Sequence, residues 1–130
     1  MRVVFDTNIF ISALIFPRGQ GEKALLRVIE GRDRLIISRD ILDELLGVLA
    51  RKFARDREEL ARVAVFITEL GELISPRRSF RVLKDGSDNR ILECAVAGHA
   101  DAIVTGDREM LRLGGFEDVR ILTLRQYLES

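Results

Sequence analysis

Short β-branched runs alternate along this chain with longer amphipathic stretches, and that alternation constrains the fold more than any single motif. Arg2-Val-Val-Phe5 reads as a buried strand that stops at Asp6. A helical pattern follows to Phe16 and breaks at Pro17-Arg18-Gly19, and residues 21–30 form a second helix ended by Gly31. Leu35-Ile36-Ile37 is the next strand, after which Arg39–Phe53 sets Ile41, Leu42, Leu45, Leu46, Val48 and Leu49 on one face at helical spacing. Asp56 and Glu58-Glu59 open a further helix to about Leu70, acidic in its first turn as the helix dipole favours. Leu73-Ile74 is a short strand and residues 80–83 an extended segment. Asp85-Gly-Ser-Asp88 is a turn leading into a helix through His99. Ala102-Ile-Val-Thr105 is a clear strand, residues 107–113 a short helix stopped by Gly114-Gly115, and Val119–Leu122 the last strand before a C-terminal helix. This order implies an α/β fold with a mostly parallel sheet covered on both faces.

Composition narrows the possibilities further. The 130 residues suit one domain, residues 1–130, and an apolar fraction of 47% excludes a disordered chain. No linker, repeat or low-complexity tract interrupts it. Residues 9–16 are apolar but follow Asp6 and Asn8 with no basic region before them, so they do not read as a signal peptide, and no run approaches the roughly 18 residues needed to span a bilayer. The single cysteine, Cys94, forbids an intramolecular disulfide and fits a cytoplasmic protein. One Cys and one His are too few for a zinc site. Net charge is zero, so no global basic field points to nucleic acid, although 18 of the 21 basic residues are Arg, the better partner for phosphate.

Four acids fall where an α/β sheet binds ligands, at the carboxyl ends of its strands. Asp6 follows the first strand, Asp107 lies two residues past Thr105, Glu44 sits early in the helix after the second strand, and Asp88 starts its helix. Each has a plainer reading. Asp6, Asp88 and Asp107 suit helix N-caps or first turns, and Glu44 borders an apolar stripe where a solvated Glu is common. Taken together at one sheet edge they imply more. Crowded carboxylates repel unless a cation neutralises them, and Mg²⁺ or Mn²⁺ favours such oxygen ligands. A site of this kind hydrolyses phosphodiesters without a His, Cys or Ser nucleophile. The chain offers little else. Gly19-Gln-Gly21 lacks the third glycine of a dinucleotide fingerprint, no P-loop is present, and His99 has no evident Ser or Cys partner.

Val4-Phe5-Asp6-Thr7-Asn8 resembles the opening of PIN-domain nucleases. In order after it, Ser38 with Glu44-Leu45 and Leu49, then Asp88-Asn-Arg-Ile-Leu-Glu-Cys-Ala95, then Val104-Thr-Gly-Asp107 with Met110-Leu111 resemble the later acidic motifs of that family. The chain most resembles the VapC-like branch, the toxins of toxin–antitoxin pairs. The resemblance implies a three-layer helix/sheet/helix sandwich around about five strands. It also implies Mg²⁺- or Mn²⁺-dependent endoribonuclease activity with a metal-activated water, RNA as substrate, an antitoxin partner covering the acidic groove, and a homodimer or higher homo-oligomer. Asp6, Glu44, Asp88 and Asp107 would be the catalytic, metal-holding acids, and Thr7, Asn8 and Thr105 their polar supports.

Two departures from the pattern leave Asp85 and Glu109 as auxiliary candidates: Asp85-Gly-Ser-Asp88 replaces a common Asp-Pro-Asp-Asp, and Glu109-Met-Leu111 a common Asp-Leu-Leu. The helical wheel favours Glu44 over Asp43. Arg90 and Arg108, each next to a proposed ligand, are candidate phosphate contacts. Three other readings stay open. An inactive PIN-like module would bind RNA or a partner without cutting. An aspartate-nucleophile phosphatase would want Asp at position 8, where the chain has Asn. A phosphoacceptor receiver domain would want Lys at the end of its last strand, where it has Leu122-Thr123.

Overall fold

The computed structural model describes residues 1–130. Strand β1 (Arg2–Phe5) leads into helices α1 (Thr7–Ile15) and α2 (Gln20–Ile29), then β2 (Arg34–Ser38), α3 (Arg39–Phe53), α4 (Arg57–Leu70) and β3 (Glu72–Ile74). A long loop reaches α5 (Gly86–Ala97), followed by β4 (Ala102–Val104), α6 (Arg108–Leu113), β5 (Gly115–Phe116), β6 (Val119–Leu122) and α7 (Leu124–Glu129).

The six strands lie in the order β3-β2-β1-β4-β6-β5, all parallel except the β5–β6 pair. The sheet therefore has six strands rather than the five expected. The extra one is two residues long, made by Gly114 (φ +72°) and a reverse turn in which Glu117 takes φ +53°.

Both faces of the sheet are covered, and two glycines show by what. Alternate strand residues point to opposite faces. The α5 end packs on Ile36 so closely that a Cβ on Gly98 would fall 2.4 Å from Ile36 Cγ2. At the α4 end, a Cβ on Gly71 would meet Leu35 and Ile37, on the other face, at 3.3 and 3.4 Å. Hence β1 and β2 read as continuous apolar runs, and Val3, Val4, Phe5, Leu35, Ile36 and Ile37 are all essentially buried. Phe5 meets Phe10 of α1 and Tyr127 of α7 edge-on at 5.6 and 5.7 Å between centroids. Below them, buried Asp33 accepts from the Tyr127 hydroxyl at 2.6 Å, pairs with Arg27 Nε at 3.0 Å and holds the Met1 ammonium at 2.8 Å.

Residues 80–83, expected to be extended, join no sheet. Their backbone bonds instead to side chains of α5. Glu93 accepts from the Phe80 amide at 2.8 Å, while the Asn89 carboxamide accepts from the Val82 and Leu83 amides at 3.1 and 2.9 Å and donates to the Leu83 carbonyl at 2.8 Å. Two buried polar side chains thus do for this loop what a neighbouring strand does elsewhere. The effect is to fix the approach of the chain to Asp85.

Candidate active site

The strand order creates the site. After β1 the chain builds outward through β2 and β3, then returns to lay β4 on the opposite side of β1. At such a reversal the connections diverge and leave a crevice beyond the carboxyl ends of the two central strands. Asp6 leaves β1 there, and Thr105-Gly-Asp107 leaves β4. The Asp6 amide bonds the Val104 carbonyl at 3.0 Å, which locks the seam, and the Thr105 hydroxyl crosses it to donate to Asp6 Oδ2 at 2.5 Å. Thr105 Oγ1 in turn accepts from the Asp107 amide at 3.0 Å. One fully buried hydroxyl therefore ties the Asp6 carboxylate to the backbone of Asp107.

The crevice is a cavity of about 220 Å³ lined by Asp6, Thr7, Asn8, Glu44, Val48, Lys52, Asp85, Ser87, Asp88, Ile91 and Asp107. It gathers all four acids singled out from the sequence, together with Asp85, Thr7 and Asn8. Glu109 is exposed on α6 and stays outside. Asp43 pairs in solvent with Arg39 at 3.2 Å, whereas Glu44 turns into the cavity. A larger hollow of about 460 Å³ near His99 and Val119 lies at the amino ends of β4 and β6; its three acids, Asp101, Glu117 and Asp118, share the lining with Arg78, which pairs with Glu117.

Two of the acids also cap helices. Asp6 is the N-cap of α1, accepting from the Asn8 amide at 2.6 Å, and Asp107 is the N-cap of α6, accepting from the Met110 amide at 3.0 Å. Capping and a place in the cavity are compatible, since each carboxylate oxygen has two lone pairs. Asp88 has no such excuse. Asp85 caps α5, holding the Ser87 amide and hydroxyl at 2.9 and 2.8 Å, and leaves Asp88 half-buried on the cavity wall with no cation beside it.

The electrostatics follow from that crowding. Burial, then the charges of Asp107, Asp85, Asp6 and Glu44, push the Asp88 carboxyl up to about 7. Glu44 is raised by burial and by Asp85 and Asp6, with Ser87 and Arg51 pulling the other way. Asp6 is raised chiefly by its burial, against the opposing hydrogen bonds from Thr105 and Asn8. Carboxyls shifted upward by burial and then by one another's charge, in one cleft, mark a place where positive charge is wanted. The donor set, all oxygen and anionic, fits a hard divalent ion such as Mg²⁺ or Mn²⁺. As the side chains stand, no three of them are arranged around one point as ligands.

The two arginines expected to meet phosphate do not face the cavity. Arg90 is committed to Glu93, with Nε and Nη2 at 2.7 and 2.6 Å from the two carboxylate oxygens, because the i, i+3 spacing on α5 stacks them. Arg108 is exposed and outside the lining. Lys52 and Ser87 do line it, and neither stood out in the sequence. Lys52 was legible in principle, since it follows Glu44 and Val48 on α3 at helical spacing. The remaining nucleophile is inert: burial pushes the Cys94 thiol up to about 12.

The family model of the PIN domain matches residues 2–109. The uncharacterized protein MJ1680 of Methanocaldococcus jannaschii is 32% identical over 117 residues, covering 87% of this chain and 75% of its own. Among solved structures, VapBC2 from Rickettsia felis, bound to a DNA fragment from their promoter, superposes with a TM-score of 0.66 at 16% identity, covering 95% of this chain and 98% of the matched one. VapBC-1 from nontypeable Haemophilus influenzae does so at 0.63 and 19%, covering 96% and 99%.

Proposed function

We infer the activity of this chain from the family it belongs to, the PIN domain family, and from the acids that the β1–β4 seam gathers into one cavity. The chain is read as a divalent-metal-dependent endoribonuclease, the toxin of a type II toxin–antitoxin pair. The observation that carries the nuclease reading is Asp88: a half-buried carboxyl in the first turn of α5, raised to about 7 by its burial and then by the charges of Asp107, Asp85, Asp6 and Glu44, which a cation would relieve.

Asp6, Glu44, Asp88 and Asp107 are the residues that would hold Mg²⁺ or Mn²⁺, with Asp85 at the rim. When bound, the ion supplies a water of lowered pKa and neutralises charge developing on the phosphodiester. The protein's own contributions are positional. Thr105 holds the Asp6 carboxylate and the Asp107 backbone together, and the Met110 amide holds the Asp107 carboxylate, so that neither acid need reorganise far as charge develops. Thr7 and Asn8 line the cavity beside Asp6, and the exposed Asn8 side-chain carboxamide can donate to a phosphate oxygen or base edge.

The toxin assignment draws on the fold shared with the two VapBC proteins and on the motif order. It brings with it an antitoxin that covers the acidic groove, a homodimer and a cytoplasmic setting. No helix is long and apolar enough to cross a membrane. A second reading, a PIN module that binds RNA without cutting, is favoured by the fact that no three acids already converge as ligands.

One experiment separates the two. Single-stranded RNA is incubated with the chain in Mn²⁺ or Mg²⁺, with and without EDTA, beside Asp6→Asn and Asp88→Asn. Cleavage that needs the ion and both carboxylates supports the nuclease. RNA binding without cleavage in either metal supports the module, and cleavage that survives chelation sinks the metal site.

A further inference from the structure

A cavity walled by five carboxylates repels the polyanion it is meant to cut, so something positive must hold the strand beside it. The arginines near the acids are largely spoken for. Arg90 is locked to Glu93, Arg39 to Asp43, and Arg55 to Glu59. The last turn of α3 is the exception. Lys52 is the one basic residue in the cavity lining, and it is exposed with no carboxylate partner.

Arg51 beside it is likewise exposed and unpaired, and its guanidinium folds back along the helix into the gap left by Gly47. A Cβ there would lie 2.8 Å from Arg51 Nη1. That position brings its charge within reach of Glu44. Glycine inside a helix costs up to about 1 kcal/mol against alanine. In return the arginine lies flat on the helix rather than waving in solvent.

The spacing is informative. Lys52 follows Glu44 by eight residues, which is about 12 Å along a helix axis, and helical side chains lean toward the N-terminus, here toward the acids. Lys52 therefore sits at the α3 end of the cavity with Arg51 next to it outside the lining, a few nucleotides from Glu44 at the roughly 3.4 Å rise of a stacked strand.

We propose that Arg51 and Lys52 form a phosphate-binding ledge that grips the RNA backbone a few nucleotides to one side of the bond placed over the acids. The inference rests on the nuclease reading above and adds to it where the strand runs: from the β1–β4 seam out along α3. A plainer account is that both cations only neutralise the negative end of α3. That account predicts a stability effect and no effect on RNA.

The test uses the whole chain and a single-stranded RNA of about 12 nucleotides. Arg51→Gln and Lys52→Gln are made singly and together, both in the wild-type background and in Asp6→Asn. In the Asp6→Asn background, RNA binding is followed by fluorescence anisotropy across a salt series. Each substitution is expected to weaken binding 3- to 10-fold and to lower the slope of log K against log salt by about 0.7, the value for one phosphate contact on a single strand. In the cleaving background KM is expected to rise by a similar factor, and by more than kcat falls.

Unchanged binding and salt slope in the double variant would overturn the ledge, even if the wild type cleaves RNA. A wild type that binds RNA but cuts none would overturn the nuclease and leave the ledge to the anisotropy result. Melting temperatures of the variants report the helix-dipole effect separately.

Discussion

Removing the negative charge of Asp88 should make the metal-free protein more stable while destroying its proposed activity. In the unfolded chain this carboxyl titrates near its ordinary 3.8, and in the fold near 7. The folded state therefore binds the proton more tightly, so the stability linked to it is complete below about pH 4 and is lost as pH rises to about 7. Converted directly at about 1.36 kcal/mol per pH unit, that shift would exceed 4 kcal/mol. The side chain is only half-buried, and solvent screening reduces the combined cost of burial and repulsion to about 1–2 kcal/mol.

Asp88→Asn keeps the shape and removes the repulsion. It also forfeits about 0.5 kcal/mol of favourable charge in the first turn of α5. The net gain at pH 8 in EDTA is about 1 kcal/mol, a rise of about 3–5 °C in Tm for a chain of this size. Differential scanning fluorimetry from pH 5 to pH 8 reads it. The wild type should lose stability across that range, the variant should lose much less, and Mn²⁺ should restore the wild type alone. A variant that melts lower than wild type at pH 8 in EDTA, or a wild type indifferent to both pH and Mn²⁺, would refute the electrostatic reasoning.

Other expectations follow from single contacts. Thr105→Val preserves volume but deprives Asp6 of a donor and the half-buried Asp107 amide of an acceptor, costing about 1–3 kcal/mol in urea denaturation. It should also move the acid limb of RNA cleavage to higher pH, because Asp6 then holds its proton more firmly. Asn89→Ala leaves the Val82 and Leu83 amides without their acceptor, and it should destabilise the chain by about 2 kcal/mol and speed hydrogen exchange at those two amides. Unchanged exchange there would show that the loop is held by something else. Cys94 should resist thiol reagents at pH 8 until denaturant is added, since its thiol is buried and raised to about 12.

How much of this was legible beforehand depended on whether a feature is local. The buried strands were, because Val3-Val4-Phe5 and Leu35-Ile36-Ile37 are apolar on both faces. So was the choice of Glu44 over Asp43, since one helical wheel decides which neighbour faces inward. Strand β5 was not: two residues carry no periodicity, and the pairing depends on a turn at Glu117. Residues 80–83 look extended by composition, but their hydrogen bonds go to Asn89 and Glu93, several residues away, which no local pattern reports. Arg90 misled for the converse reason. Proximity in sequence to Asp88 says nothing of direction, and the helix turns it toward Glu93. The joint placement of the acids was inferred from strand ends, yet the seam that unites them, β1 against β4, is a matter of topology that a single sequence states only indirectly.

That seam has a consequence for when the molecule becomes capable of anything. The Thr105–Asp6 bond closes a loop of 99 positions, and the cavity draws on chain segments at 6, 44, 85–88 and 107. No shorter fragment contains the crevice, and the entropy of closing so long a loop is recovered only once β4 docks beside β1. A chain emerging from its N-terminus thus passes through most of its synthesis as an inert collection of helices and two or three strands. The clustered negative charge, with all it attracts and repels, comes into being in one late step of folding.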